Sequence, residues 1–529
     1  MSQIQVKDLS FQYDTSCEWI FNHTSFTLDT DWKLGFIGRN GKGKTTFLNL
    51  LLGNYEYLGK IEASVSFEYF PYLVDVQQTA LKAARETIAP FSKWEREMEN
   101  LLASGKETDL MRYGEILECY MAHDGFQIDQ LIEKEIGKLN LSKEILEQPV
   151  FTLSPGEQTK LKLAALFLKK NSFLLIDEPT NHLDMEGRQL LAEYLNRKSG
   201  FILVSHDRMF LDQCIDHVLS INRTSIEVQR GNYSSWNENK VKKDQFERER
   251  NEHLKKGIHR LEDAARRGSG WADKIERSKI GTHSADRGFI GAQAARMMQK
   301  AKNLERRREE AIKEKKELLQ DVEETVSLKM NPLRSSKQKL IIAKKVSCLL
   351  GERTIFSDFS MELTQGERVA LKGGNGCGKS TLIRLLLGEI AVKKGTISIV
   401  NDLKISYVSQ DTSFLKGSLR EFAKLHGLDE TTLKTVLFQL DFSREHLDKP
   451  MEYYSEGQKK KVLLAKSLSE PANLFIWDEP LNYVDILSRV QLEELILSYQ
   501  PTMLFVEHDQ AFCERIATRT IHMNQQIKT

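Results

Sequence analysis

Two stretches of this chain, GRNGKGKTT at Gly38–Thr46 and GGNGCGKST at Gly373–Thr381, fit the pattern GxxxxGK[ST]. In that pattern the glycines let backbone N–H groups curl around phosphate oxygens, the lysine reaches the terminal phosphates and the hydroxyl binds magnesium. The loop requires a strand before it and a helix after it, and both copies supply that frame. KLGFIG is a short apolar strand ending at Gly38, and KTTFLNLLLG and KSTLIRLLLG share one apolar spacing. Both helices stop at a glycine, Gly53 and Gly388, where a left-handed residue can close them. QIQVKDLSFQYD, near the start, alternates apolar and polar residues as a half-buried strand does. Two α/β nucleotide-binding domains are therefore expected in one chain.

Each copy continues to an apolar strand that ends in two carboxylates, FLLIDEP with Asp177 and Glu178 and LFIWDEP with Asp478 and Glu479. An acidic pair at a strand end can be plain surface. Phosphoryl transfer, however, needs one carboxylate to hold magnesium and one to orient or deprotonate the attacking water. A single histidine then follows a short apolar strand in each copy, His206 in FILVSHD and His508 in TMLFVEHD. A lone histidine is usually structural, but two at matching positions point to sensing of the γ-phosphate. Glu178, Glu479, His206 and His508 are the expected catalytic residues. ATP and Mg2+ are the expected cofactors, with Thr45, Asp177, Ser380 and Asp478 around the metal.

Composition narrows the alternatives. A chain of 529 residues, 40% hydrophobic and 29% charged, has room for three or four domains and resembles soluble globular protein with a charged helical segment. No run of 18 apolar residues occurs, and MSQIQVKDLS lacks the layout of a signal peptide, so a cytoplasmic protein without a membrane domain is expected. Cysteines 17, 119, 214, 348, 377 and 513 stand singly, which argues against a disulfide framework, a zinc site or an iron–sulfur cluster. The net charge of +1 conceals a basic segment, 255–308, with 15 Lys or Arg against 6 Asp or Glu. Such a run can be a solvated helix face or a surface for nucleic-acid phosphates.

The expected domains are 1–236, a connector over 237–328 and 329–529. From Lys44 to Ser154 is 110 positions, against 76 from Lys379 to Ser455, so the first domain carries about 34 extra residues. They fall within a short helical insertion at about 80–140, where EREMENLL and YGEILECYMAHDGFQIDQLIEKEI read as amphipathic helices with acidic surface. The insertion is either a contact arm or a decorated helical subdomain. In the connector, Asn237 to Ala265 and Gly291 to Leu328 are rich in helix formers, interrupted by RRGSGW at 266–271 and by 281–291. An antiparallel hairpin with a tip at about 268–291 is expected, projecting on the order of 50 Å at 1.5 Å per residue.

These motifs resemble those of the ABC ATPase family at both ends of the chain. The family signature appears as LSPGEQ from Leu153 and YSEGQ from Tyr454, and the D-loops as NHLD with Asp184 and NYVD with Asp485. The resemblance implies two ABC-type domains closing head to tail. Ser154 and Gly156 would then serve the ATP on Lys379, and Ser455 and Gly457 the ATP on Lys44. It also implies ATP binding by Gly38, Asn40, Gly41, Gly43, Thr45 and Thr46, and by Gly373, Asn375, Gly376, Gly378, Ser380 and Thr381. Gln410 in YVSQD matches the glutamine loop, a further magnesium ligand, whereas the first copy has Tyr72 there. Tyr13 resembles the adenine-stacking aromatic, whereas the aligned residue of the second copy is Leu350. Two unequal sites are expected.

Two fused ATPase domains with a charged helical connector resemble the ABC-F class. That resemblance implies ribosome binding at the tRNA exit site, with the connector reaching 23S rRNA and the P-site tRNA region near the peptidyl-transferase centre. It also implies a monomer with intramolecular domain pairing and no transmembrane subunit. GWADKIERSKIGTHSADRGFIGAQAARMM and IWDEPLNYVD are similar to the connector tip and second ATPase motif of Lsa-type resistance proteins, which act against lincosamides, pleuromutilins and streptogramin A. Trp271, Lys274, Arg277, Lys279, Arg287, Phe289 and Ile290 are the expected contacts with ribosome or drug site; Met297 and Met298 fit packing between the hairpin arms. A housekeeping ABC-F translation factor, a DNA-repair-type tandem ATPase and a detached exporter motor are the alternatives.

Overall fold

The computed structural model describes residues 2–13, 19–38, 42–104, 107–181, 183–221, 226–278, 299, 306–307, 328–350, 353–374 and 376–523. It divides into two units, Met1–Ser234 with Val326–Thr529, and Ser235–Thr325. In the first unit each repeat pairs a mostly parallel sheet with a three-stranded antiparallel one. The apolar strand Lys33–Ile37 lies inside the six-stranded sheet, flanked in parallel by Phe201–Val204 and His217–Ile221. Arg368–Lys372 lies likewise between Met503–Val506 and Arg519–His522 in a five-stranded sheet. Strands covered on both faces are apolar throughout, which is why KLGFI and FILV show no alternation. Gln3–Phe11, which does alternate, pairs antiparallel with Phe21–Asp29 and Leu58–Glu62.

The helix after each phosphate loop is held between the two sheets. In Lys44–Leu51 the fully buried Phe47 meets Phe21 and Phe26 of the antiparallel sheet at 6.0 and 5.6 Å and Phe36 of the central strand at 5.6 Å. Burying such a side chain contributes about 1.5–3 kcal/mol. Leu382 and Ile383 do the same for Lys379–Leu386. Both helices end as expected. Gly53 and Gly388 have φ of 74° and 77°, and the amides of Asn54 and Glu389 close back on the carbonyls of Asn49 and Arg384.

Two expectations need correction. The segment read as one long helix in the insertion is two, Glu107–Ala122 and Ile128–Gly137, because Asp124 turns the chain at φ 56°. The added mass is the packed pair Phe91–Ser104 and Glu107–Ala122. In the connector, RRGSGW does not interrupt the helix, which runs unbroken over Tyr233–Ser278, 46 residues. A glycine inside a helix costs only about 1 kcal/mol relative to alanine, and good helix formers flank both of these. The rest of the expected tip, beyond 278, and most of the second arm lie outside the described residues.

Candidate active sites

Each phosphate loop turns into its helix at a left-handed glycine. Gly43 and Gly378 have φ of 95° and 99°, and a Cβ on either would sit 2.4 or 2.5 Å from Ile20 or Ile355. Lys44 donates to the Gly38 carbonyl at 2.5 Å, and Lys379 to Gly373 and Gly374 at 2.8 and 3.0 Å. The ammonium groups thus curl over their own loops, where terminal phosphates would replace the carbonyls. Gly38, Thr46, Gly373, Gly376 and Thr381 belong to the same loops and helix starts, while Asn40, Gly41 and Asn375 lie outside the described residues.

Each loop shares a cleft with the other repeat. Gly376, Gly378, Lys379, Ser380, Thr381, Gln410, Glu479 and His508 line one of about 610 Å³ together with Ser154, Gly156, Lys160, Asn181 and Asp184. Lys44, Thr45, Asp177, Glu178 and His206 line another of about 520 Å³ with Ser455, Gly457, Lys461 and Tyr483. Both volumes suit a cofactor-sized ligand, for which ~300–1,000 Å³ is usual. The signature serines cap the helices Pro155–Leu168 and Glu456–Ser469 in reciprocal capping boxes with Glu157 and Gln458. Two helix N-termini, each a favourable end for anions, therefore face the phosphate loops across the clefts. Asp184 and Asp485 cap the helices Met185–Asn196 and Ile486–Tyr499, and Asp485 pairs with Lys461 at 3.4 Å.

The carboxylates stand at matching strand ends. Glu178 and Glu479 both take left-handed backbone, φ 49° and 48°, and donate their amides to Val204 and Val506. Such strain in a non-glycine residue persists only where the surroundings impose it. His206 Nε2 lies 3.5 Å from Glu178 Oε1, and His508 Nε2 lies 3.3 Å from Glu479 Oε1.

Beyond this pairing the sites diverge. Gln410 Nε2 and Asn482 Nδ2 both donate to Glu479 Oε2, at 2.8 and 2.9 Å. Tyr72, at the position matching Gln410, instead turns its hydroxyl to the Lys162 carbonyl at 3.2 Å. Burial, reinforced by the charge of Asp177, pushes the Glu178 carboxyl up to about 8. Burial acts on Glu479 too, but the His508 hydrogen bond and the charges of His508, Lys379 and Lys460 outweigh it and hold this carboxyl below its ordinary range. Tyr13 packs edge-on against Phe11 and Tyr55 and shares a 2.8 Å hydrogen bond with Thr46, which places an aromatic ring beside the first loop.

The donor set fits Mg2+. The loop hydroxyls of Thr45 and Ser380 favour the charged forms of Asp177 and Asp478 against the burial that disfavours them, and Asp478 Oδ1 is buried with no hydrogen-bond partner. One hydroxyl, one carboxylate and substrate phosphates are the usual donors for this ion, which would neutralise charge on the transferred phosphoryl group.

Tyr69, which the motifs did not single out, donates its hydroxyl to Asp177 Oδ2 at 3.0 Å. Its strand Ser66–Phe70 lies beside Ser172–Asp177 with Tyr69 opposite Leu175, a pairing that only the tertiary fold decides. Tyr69→Phe is expected to weaken Mn2+-supported nucleotide binding at the Lys44 site about tenfold, as loss of a partner behind a metal ligand does. Calorimetry in a Lys379→Ala background measures this, and unchanged affinity would exclude the role. Of the connector residues, Trp271, Lys274 and Arg277 lie on the helix Tyr233–Ser278, while Lys279, Arg287, Phe289 and Ile290 lie outside the described residues.

The ABC transporter family model matches residues 21–181 and 356–482, more than half of the chain, so the protein belongs to that family and is an ATPase. Among curated relatives, the ABC transporter ATP-binding protein YfmM of Bacillus subtilis is 28% identical over 98% of both chains. ABC transporter F family member 5 of Arabidopsis thaliana is 27% identical over 93% of this chain and 71% of its own. ATP-binding protein Uup of Caulobacter vibrioides is 27% identical over 96% of this chain and 75% of its own. The solved complex of archaeal ribosome recycling factor aABCE1 with stalk protein aP1 covers 97% of this chain and 87% of the matched one at TM-score 0.59 and 17% identity, a likeness of fold. No described helix is long and apolar enough to cross a membrane.

Proposed function

We propose that this chain is an ABC-F protein that closes on ATP to bind the ribosome at the tRNA exit site and sends its connector toward the peptidyl-transferase centre. There it protects the ribosome from lincosamide, pleuromutilin and streptogramin A antibiotics. Domains 1–236 and 329–529 act as the clamp and 237–328 as the probe. Lys44 and Lys379 hold terminal phosphates, Glu178 and Glu479 activate water, and His206 and His508 sense the γ-phosphate. Thr45, Asp177, Ser380, Asp478 and Gln410 surround the metal. Ser154, Gly156 and Asp184 complete one site; Ser455, Gly457 and Asp485 complete the other.

The observation that carries this reading is that each cleft takes its phosphate loop from one repeat and its signature helix from the other. Two ATP molecules can therefore clamp a single chain as a monomer. The basic run at 255–308 suits RNA phosphates, with an affinity that falls steeply with salt. The same two clefts also serve a second reading, the clamp acting as a translation factor without a drug role.

Growth of a susceptible bacterium expressing the chain, with and without Glu178→Gln/Glu479→Gln, across these drugs plus macrolides and phenicols tests the proposal. Protection against the first three that vanishes in the variant is expected. Ribosome binding without protection would favour the translation factor, and failure to co-sediment with ribosomes would overturn both.

A further inference from the structure

Among the described residues, one buried ion network between the repeats has no counterpart on the other side of their interface. Within each repeat a matching brace is present: Arg188 donates to Asp207 and Arg489 to Asp509, each at 2.9 Å. Across the interface the symmetry fails. Arg208 lies two positions beyond His206 and opens the helix Arg208–Cys214. Its guanidinium makes a two-pronged contact with Glu493, with Nη1 3.3 Å from Oε2 and Nη2 paired with Oε1. Glu493 also accepts from Arg515 Nη1 at 2.8 Å, and its side chain is 0% exposed.

The placement of Glu493 links this network to one nucleotide. It lies on the helix Ile486–Tyr499, which Asp485 caps, and the adjoining Tyr483 lines the Lys44 cleft. The network thus ties the histidine segment of the Lys44 cleft to the D-loop helix that the other repeat lends to that same cleft. At the mirror position the pair is Gln510 and Ala192. Gln510 spends its amide on Glu514 of its own helix at 2.7 Å, and Ala192 has no polar side-chain atom.

We infer that Arg208 and Glu493 are positioning residues that keep the Lys44 side of the interface joined while the Lys379 side opens. Parting the repeats at the Lys44 side strands charges that were paired away from water, a strongly unfavourable step. Among the described residues, parting them at the Lys379 side breaks no such pair. Nucleotide is therefore held longer at Lys44 than at Lys379.

The inference rests on reading both clefts as ATP sites, and the test separates the two. In the Glu178→Gln/Glu479→Gln background, Lys379→Ala confines a fluorescent ATP analogue to the Lys44 cleft and Lys44→Ala confines it to the other. Arg208→Gln is expected to speed release from the Lys44 cleft about tenfold or more and from the Lys379 cleft less than about twofold. Arg208→Lys, which keeps the charge, is expected to restore most of the retention. Arg515→Gln, which spares the contact across the interface, is expected to leave release from both clefts within about twofold. Equal acceleration at both clefts, the mark of general destabilisation, would overturn the inference, as would no change at the Lys44 cleft. Absence of analogue binding before any Arg208 substitution would instead sink the reading of the clefts as ATP sites.

Discussion

Replacing Glu178 and Glu479 together by glutamine is expected to lower ATP turnover by about 10²–10⁴-fold, the usual contribution of a positioned general base, while leaving ATP binding intact. The amide keeps the shape of the side chain and removes its basicity. Both carboxyl groups sit at the end of a buried strand, one residue beyond the proposed metal carboxylate and within 3.5 Å of a histidine. Phosphate release measured beside equilibrium nucleotide binding checks this, and loss of binding would mean that these groups hold nucleotide rather than water. The single substitutions are expected to cost unequal amounts. Glu479 is braced by Gln410 and Asn482, whereas Tyr72 leaves Glu178 without the matching amide. Equal losses would argue that this difference has no kinetic consequence.

Trp477→Ala is expected to destabilise the second domain by about 3–5 kcal/mol. Trp477 is 0% exposed on the strand Leu474–Asp478 and donates its indole N–H to Ser467 Oγ at 3.0 Å. Truncation leaves a cavity beside the strand that carries Asp478 and Glu479, and removes a partner from the buried Ser467. Trp477→Phe fills most of the cavity and is expected to cost less. Urea unfolding followed by circular dichroism measures both, and a loss below about 1 kcal/mol for the alanine variant would show that the site collapses around the gap. At the matching position of the first repeat stands Ile176, also fully buried, so the two strand ends rest on differently shaped cores.

Much of the site was legible in the chain because its chemistry depends on short segments. Gly43 and Gly378 sit where the turn needs left-handed backbone, and Gly53 and Gly388 where the helices close. The carboxylate pairs and histidines end apolar strands whose burial on both faces was visible as unbroken hydrophobic runs. The helix through 266–278 was misread because two glycines weaken a helix without ending it. The unequal environments of Glu178 and Glu479 were only half visible. Tyr72 could be seen in place of a glutamine, but its turn toward Lys162 could not.

Sequence by itself determined the two phosphate loops, their strand–loop–helix frames, the paired carboxylates and the duplication, because each depends on residues a few positions apart. That Ser154 shares a cleft with Lys379 was expected from the family resemblance, whereas only the tertiary structure decided that Tyr69 donates to Asp177 and that Arg208 meets Glu493 across 285 positions. Those contacts follow from which strands pair and which helix faces meet. The free energy that selects them comes from apolar surface buried over the whole unit, and no local pattern records it.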